Sequence, residues 1–248
     1  MLLLDIDNTI LPSIPAYEYA LKNLSKLWAK KTGGRIKDFS AIFEKARSET
    51  KKDLEGHSSN RLRILYFKKM WDMQKGTLNS KSLENILEFE EKYFYYFQEY
   101  VEEFMSNHKK EYKEVWKLLA RIQENQRIIF ISNENLRTQL LKLLWVLPKE
   151  IQFKLLVSEE LGIEKPNKKL FSRAIEMGGI KAKQPCHIIG DSWEDDIKGG
   201  ASVGLRLIHQ TSIWGDRESI EMVGTPSTIK AWRTKNLLTS LELVEENR

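Results

Sequence analysis

One cysteine in 248 residues excludes an intrachain disulfide, so the fold must rest on its apolar core and a reducing cytosol is the expected compartment. That residue, Cys186, stands in CHIIG ahead of a predicted strand and is expected to be buried. No window approaches eighteen consecutive apolar residues, so no membrane-spanning helix is expected. A basic run interleaved with exposed aromatics is also missing. The 40 basic and 35 acidic residues leave +5 spread along the chain, a balance that suits an anionic small molecule at least as well as a polymer, so nucleic acid is not expected as a partner. Internal repeats and low-complexity tracts are lacking. Met1 leads into the first strand with no basic n-region, apolar h-region or cleavage site, so secretion is not expected. A strand beginning at residue 2 is abrupt and leaves open a natural start further upstream.

What is present suffices for one large core, or for a core domain with a smaller insertion. The organising stretch is Leu2 to Thr9, LLLDIDNT. Apolar strand residues end there in two carboxylates, Asp5 and Asp7, whose spacing places both on one side of an extended chain. Asn8 favours a turn, and Thr9 is a short donor. Two carboxylates this close repel, so one must be protonated, hydrogen-bonded or neutralised by a cation. The residues alone read as a metal site, an acid/base pair, or an acidic strand end with a capped turn.

Ile10 to Pro15 reads as a connector with two prolines. From Ala16 to about Lys110 the pattern is helical throughout. One face carries Tyr17, Ala20, Leu21, Leu24, Leu27 and Trp28; a later helix, capped by Ser80 or Ser82, carries Leu83, Ile86, Leu87, Phe94, Phe97 and Val101. The aromatic cluster from Tyr93 to Tyr100 fits packing positions of that helix. From Tyr112, strands at 127–131, 153–157, 187–189 and 205–208 alternate with helices, the last from about Asn236 to Val244. Such alternation implies a Rossmann-like α/β fold, with a parallel sheet covered on both faces and ligands bound beyond the carboxyl ends of its strands. The expected domains are a core of residues 1–14 and 109–248 and an inserted all-helical cap of residues 15–108.

Polar residues follow each strong strand: Asp5, Asp7 and Thr9; Ser132, Asn133 and Glu134; Asp191, Ser192, Asp195 and Asp196. Glu164-Lys165-Pro166 lies between the last two groups, with Asn167 able to start a helix. Singly, Ser132-Asn133 reads most simply as a helix cap, Lys165 as a solvated lysine, and Asp195 and Asp196 as acids in a helix's first turn. Asp191, directly behind Gly190 at the end of a buried strand, needs a positive partner.

In this order the segments resemble the four motifs of the haloacid dehalogenase superfamily of phosphatases. LLLDIDNTI resembles its first motif, IIFISNEN its second, the lysine of EKPNKKLF its third, and IIGDSWEDDIKGGASVGLRLI its fourth. The helical insertion sits where the family's first subclass carries its cap. The resemblance implies that Asp5 is the nucleophile and forms an aspartyl phosphate, while Asp7 is the general acid and base. It implies Mg²⁺ on the carboxylates of Asp5 and Asp191 and the main-chain carbonyl of Asp7, with Asp196 behind the metal ligands. Thr9, Ser132, Asn133 and Lys165 are the implied phosphate contacts, and Asp195 departs from the usual pattern. Asp7 sets the chain apart from the family's dehalogenases and phosphonate hydrolases. The expected activity is Mg²⁺-dependent hydrolysis of a small phosphate monoester, a sugar phosphate or nucleotide monophosphate. A phosphosugar mutase and a noncatalytic interaction protein of the same fold are the alternatives.

The motifs do not specify the rest of the substrate. In the cap, the stretch from Leu54 to Arg61 combines a glycine break, hydroxyls, an amide, an imidazole and a guanidinium. His57 and Arg61 are expected to contribute selectivity there; the alternative is an ordinary turn capped by Ser58 or Ser59.

Overall fold

The computed structural model describes residues 1–179, 185–224 and 229–246. It divides into two compact units, Met1–Pro12 with Phe104–Arg248, and Ser13–Glu103. The elements run β1 (Leu2–Leu4), α1 (Ser13–Thr32), α2 (Ile36–Asp53), α3 (Arg63–Lys75), α4 (Ser80–Asn107), α5 (Lys109–Asn125), β2 (Ile128–Ser132), α6 (Leu136–Val146) and β3 (Lys154–Val157). They continue with α7 (Lys168–Gly178), β4 (His187–Gly190), α8 (Lys198–Ala201), β5 (Arg206–Gln210), β6 (Ile220–Gly224), β7 (Lys230–Thr234) and α9 (Leu237–Glu246).

Among the described residues, seven strands form one sheet in the order β3-β2-β1-β4-β5-β7-β6. All neighbours are parallel except β6 and β7, which pair antiparallel at one edge. β1 is central, with Leu3 opposite Ile129 on one side and Ile188 on the other. The chain leaves β1 to build β2 on one flank and β4 on the other. Strand order therefore reverses at β1, and the crevice at its carboxyl end is where such sheets bind ligands.

Alternation along the strands divides the core. Leu3, Ile129, Ile131, Leu156, Ile188 and Leu207 pack with Leu170, Phe171 and Ala174 of α7 on one face. Leu2, Leu4, Ile128 and Phe130 point the other way and are equally buried, so both faces are covered. Gly199 of α8 permits close approach to α7, because a Cβ there would lie 2.2 Å from the Phe171 ring. Cys186, expected to be buried, is half-buried and rests against this core.

The helical unit has an aromatic core. Trp28, Trp71 and Phe89 meet edge to face, and Phe67 joins Phe89 to Tyr93. The Arg63 guanidinium lies over Tyr17, 4.9 Å from the ring centroid, and donates to Tyr93 Oη at 3.1 Å. Tyr93, Phe94 and Phe97 are buried, as their spacing predicts.

Several local expectations are corrected. Ile10 to Pro15 is not wholly a connector, because α1 begins at Ser13; Pro15 falls in its first turn, where its missing N–H has no helical partner to lose. Leu83 and Leu87 are exposed, since the buried stripe of α4 runs through Ile86, Phe89 and Tyr93. Its N-terminal donor is Ser82 N–H, accepted at 3.0 Å by Asn79 Oδ1, not by Ser80 or Ser82. In the stretch from Leu54 to Arg61, the His57 imidazole accepts from Ser59 N–H at 3.1 Å, taking the capping role expected of Ser58 or Ser59.

Candidate active site

The polar stations gather at the carboxyl ends of β1, β2 and β4. After Asp7 the chain turns through Asn8, whose φ of +59° lies in the left-handed region that asparagine tolerates better than most residues. Asn8 N–H donates to Leu11 O at 2.8 Å, and Ile10 N–H to Ile6 O at 3.0 Å. This tight turn leaves Asp5 buried and Asp7 half-buried. Thr9, expected to contact phosphate, is fully buried; its hydroxyl donates to Asp5 Oδ2 at 3.1 Å. Its side chain orients Asp5 instead.

Lys165 is not a solvated surface lysine. Its side chain is 4% exposed, and Nζ donates to Asp5 Oδ1 at 2.6 Å, Asp196 Oδ1 at 2.7 Å and Ile131 O at 3.3 Å. Asn133 fixes the loop that delivers it. Lys165 N–H donates to Asn133 Oδ1, and Asn133 Nδ2 donates to Lys165 O at 3.0 Å. Both ends of the Asn133 amide are thus committed to the Lys165 backbone, which removes its side chain from the expected phosphate contacts. Neither Ser132 nor Asn133 caps the following helix. The cap is Asn135, whose Oδ1 accepts from Thr138 N–H at 3.1 Å. The Asn167 side chain does start a helix, accepting from Lys169 N–H at 3.0 Å.

Behind β4 the chain winds one wide π turn, Trp193–Ile197. Ser192 Oγ accepts from Asp195 N–H at 3.0 Å, and Asp196 Oδ2 accepts from Ser192 N–H at 3.1 Å. Gly190 is required here: a Cβ would lie 2.2 Å from the Asp196 carboxyl carbon. The Asp191 carbonyl stands 3.0 Å from His209 Nε2.

Two residues outside the four motifs complete the arrangement. Gln139 Nε2 donates to Asp7 Oδ2 and to Ser132 Oγ, each at 2.6 Å, and Lys142 Nζ donates to Asp7 Oδ1. Gln139 and Lys142 are one helical turn apart on α6 and essentially inaccessible to solvent. The signal in the sequence is a pair of polar residues at i and i+3 inside LRTQLLKLLWV, on a helix of only eleven residues.

Oxygens of Asp5, Asp191 and Asp196 lie within 4.8 Å of one another. Burial, followed by the neighbouring Asp196, pushes the Asp191 carboxyl up to about 7. Burial likewise raises Asp5 well above the ordinary carboxylate range, against the opposing pull of Lys165. Burial works against the Lys165 ammonium, but Asp196 and Asp5 outweigh it and raise its pKa. Fully ionised, the four aspartates Asp5, Asp7, Asp191 and Asp196 outnumber Lys142 and Lys165 by two charges. An all-oxygen cluster two charges short of neutrality fits a hard divalent cation.

A family model described as haloacid dehalogenase-like hydrolase matches residues 1–204, and the chain belongs to this family. It is 29% identical over 210 residues to ribulose-1,5-bisphosphate 5-phosphatase of Halopiger xanaduensis, covering 83% of this chain and 82% of that protein. A shorter match, 36% identical over 88 residues, links it to the pyrimidine 5'-nucleotidase YjjG of Escherichia coli; it covers 36% of this chain and 39% of that protein. In structure it is similar to a 2-haloacid dehalogenase from Pseudomonas syringae pv. Tomato, with a TM-score of 0.71 at 20% identity over 100% of this chain and 98% of that one. The structural likeness establishes the fold. Among the described residues, no helix is long and apolar enough to cross a membrane.

Proposed function

We propose that this protein is a Mg²⁺-dependent phosphatase that cleaves small phosphate monoesters through an aspartyl phosphate on Asp5. The observation that carries this reading is the second carboxylate, Asp7, held by Gln139 and Lys142 two residues beyond the Asp5–Lys165 ion pair. Phosphoryl transfer to a carboxylate needs an acid to protonate the departing alkoxide, the role proposed for Asp7 when it carries the proton. The names of the two sequence relatives, a nucleotidase and a sugar-bisphosphate phosphatase, support the same chemistry.

In the first step an Asp5 carboxylate oxygen bonds to phosphorus, the bond from phosphorus to the ester oxygen breaks, and Asp7 gives that oxygen a proton. In the second, Asp7 takes a proton from water as the water oxygen bonds to phosphorus and Asp5 departs. Thr9 and Lys165 hold the two Asp5 oxygens, and Lys165 with Ser132 would meet the phosphoryl oxygens. Asn133 would contribute through its main chain. The carboxylates of Asp5 and Asp191 with the Asp7 carbonyl would hold Mg²⁺, which supplies neutralisation of the charge gathered around the phosphoryl group. Asp196 is proposed to anchor Lys165 behind these ligands.

The substrate is proposed to be a cytoplasmic sugar phosphate or nucleotide monophosphate, with selectivity read by His57 and Arg61 of the helical unit. The test is release of inorganic phosphate from a panel of phosphorylated metabolites and para-nitrophenyl phosphate, with Mg²⁺ and with chelator. Metal-dependent release from at least one ester is expected; none from any would reject the reading in favour of a noncatalytic protein. Arg61→Ala with His57→Ala should lower kcat/KM for the best metabolite and spare para-nitrophenyl phosphate. Parallel behaviour on both esters would remove the selectivity role.

A further inference from the structure

Alongside Leu143 and Val146, α6 buries polar side chains while it leaves three of its leucines exposed. Leu136, Leu140 and Leu144 form a stripe at i, i+4 and i+8 and are exposed, Leu144 by 77%. Gln139 and Lys142 share the buried face with Leu143 and Val146. Burying a lysine and exposing leucines both oppose folding. Moreover, Gln139 Oε1 is buried with no hydrogen-bond partner among the described residues, because the amide is oriented so that its nitrogen serves Asp7 and Ser132. Local rules broken together at one place mark a function that stability alone does not explain.

We infer that Lys142 and Gln139 are positioning residues that hold the Asp7 carboxyl group in the orientation needed for proton transfer, an assignment that rests on the phosphatase reading. Each Asp7 oxygen has its own donor, Oδ1 from Lys142 and Oδ2 from Gln139. One donor would leave the carboxyl plane free to rotate; two donors, one to each oxygen, fix it. Both donors come from the same helical turn of α6, so their separation is set by the helix and not by a loop. The second Gln139 hydrogen bond, to Ser132 Oγ, ties this frame to the end of β2. Asp7 and Ser132, delivered by different strands, are thereby held in register by a single amide.

The test compares wild type with Lys142→Met, Lys142→Arg, Gln139→Leu, Asp7→Asn and the Asp7→Asn/Lys142→Met double variant, all with Mg²⁺. The substrates are an alkyl phosphate that wild type hydrolyses and para-nitrophenyl phosphate, whose leaving group needs little protonation. Lys142→Met and Gln139→Leu should each lower kcat on the alkyl ester by about 10–100-fold, the scale of a misplaced reacting group, with KM little changed. The rate of enzyme phosphorylation by para-nitrophenyl phosphate should fall far less, and Lys142→Arg should recover part of the loss. In the Asp7→Asn background, Lys142→Met should cause no further loss, since nothing remains to be positioned. Losses that multiply in the double variant, or that match on the two esters, would overturn the assignment, as would wild-type kcat in both Lys142→Met and Gln139→Leu. Melting curves establish that each variant is folded, and Gln139→Leu carries the test if Lys142→Met is not. A wild-type protein that cleaves no phosphate ester would reject the phosphatase reading itself.

Discussion

Asp5 and Lys165, 160 residues apart in the chain, form a buried ion pair in which Nζ donates to Asp5 Oδ1 at 2.6 Å. Lys165 serves Asp196 at the same time, so one ammonium neutralises two carboxylates that burial would otherwise make unfavourable. The pair joins the end of the central strand to the loop ahead of α7. It is therefore a structural tie as well as the proposed seat of the nucleophile.

Lys165→Met should leave Asp5 and Asp196 buried without their shared cation, at a cost of about 3–5 kcal/mol, and should also abolish turnover. Equilibrium urea unfolding of metal-free protein measures the first effect. An unchanged midpoint would contradict the ion pair as described.

The raised Asp191 carboxyl predicts that metal binding at the proposed site depends on pH. Its carboxyl is raised to about 7, so a proton competes with the cation below that value. Mg²⁺ affinity should strengthen as pH rises through about 7, and Asp191→Ala should raise the Mg²⁺ requirement sharply and remove this dependence. In metal-free protein the sign for stability is opposite. The folded state binds the extra proton between the ordinary carboxylate pKa of about 4 and the raised value, so stability declines as pH rises across that window. Calorimetric Mg²⁺ titrations on either side of pH 7, with wild type and variant, check both. A pH-independent wild-type affinity would contradict the raised carboxyl.

At the opposite end of β4, His187 is buried, and neither ring nitrogen has a hydrogen-bond partner among the described residues. Burial first, then Arg206 and the N-terminal ammonium, lower its pKa to about 4. Its contribution is complete above the ordinary histidine value of about 6.5 and is lost as pH falls towards the lowered one, because the unfolded chain takes up the proton first. His187→Leu should therefore be more stable than wild type in mild acid, with the difference shrinking towards neutrality. Parallel melting temperatures for the two proteins across that range would remove His187 from the acid sensitivity.

Where the apolar pattern was strong, the fold was legible. β2, β4 and α6 fall within a residue of their expected ends because RIIFI, HIIG and the stretch from Leu136 to Val146 offer no competing arrangement. β6 and β7 are not legible in the sequence. Four of five residues in β6 are exposed, and KAWRT in β7 has little apolar content, so an antiparallel edge facing solvent gives almost no periodic signal. At the site, Asp5, Asp191, Asp196 and Lys165 follow motif order and come together, whereas Thr9 and Asn133 turn inward to orient others. Gln139 and Lys142 give no sequence signal of their own, because composition favours burying leucines, whereas α6 buries these two with Leu143 and Val146 and exposes Leu136, Leu140 and Leu144. Only the tertiary demand of Asp7 reveals the reason.

In the proposed mechanism Asp5 carries the phosphoryl group. The direct measurement is acid quench of the enzyme during turnover of a ³²P-labelled ester with Mg²⁺, followed by peptide mapping. Acid-stable, hydroxylamine-sensitive label is expected on the peptide containing Asp5, and neither label nor turnover in a folded Asp5→Asn variant. Label on another residue, or substantial hydrolysis by a homogeneous Asp5→Asn protein, would contradict it.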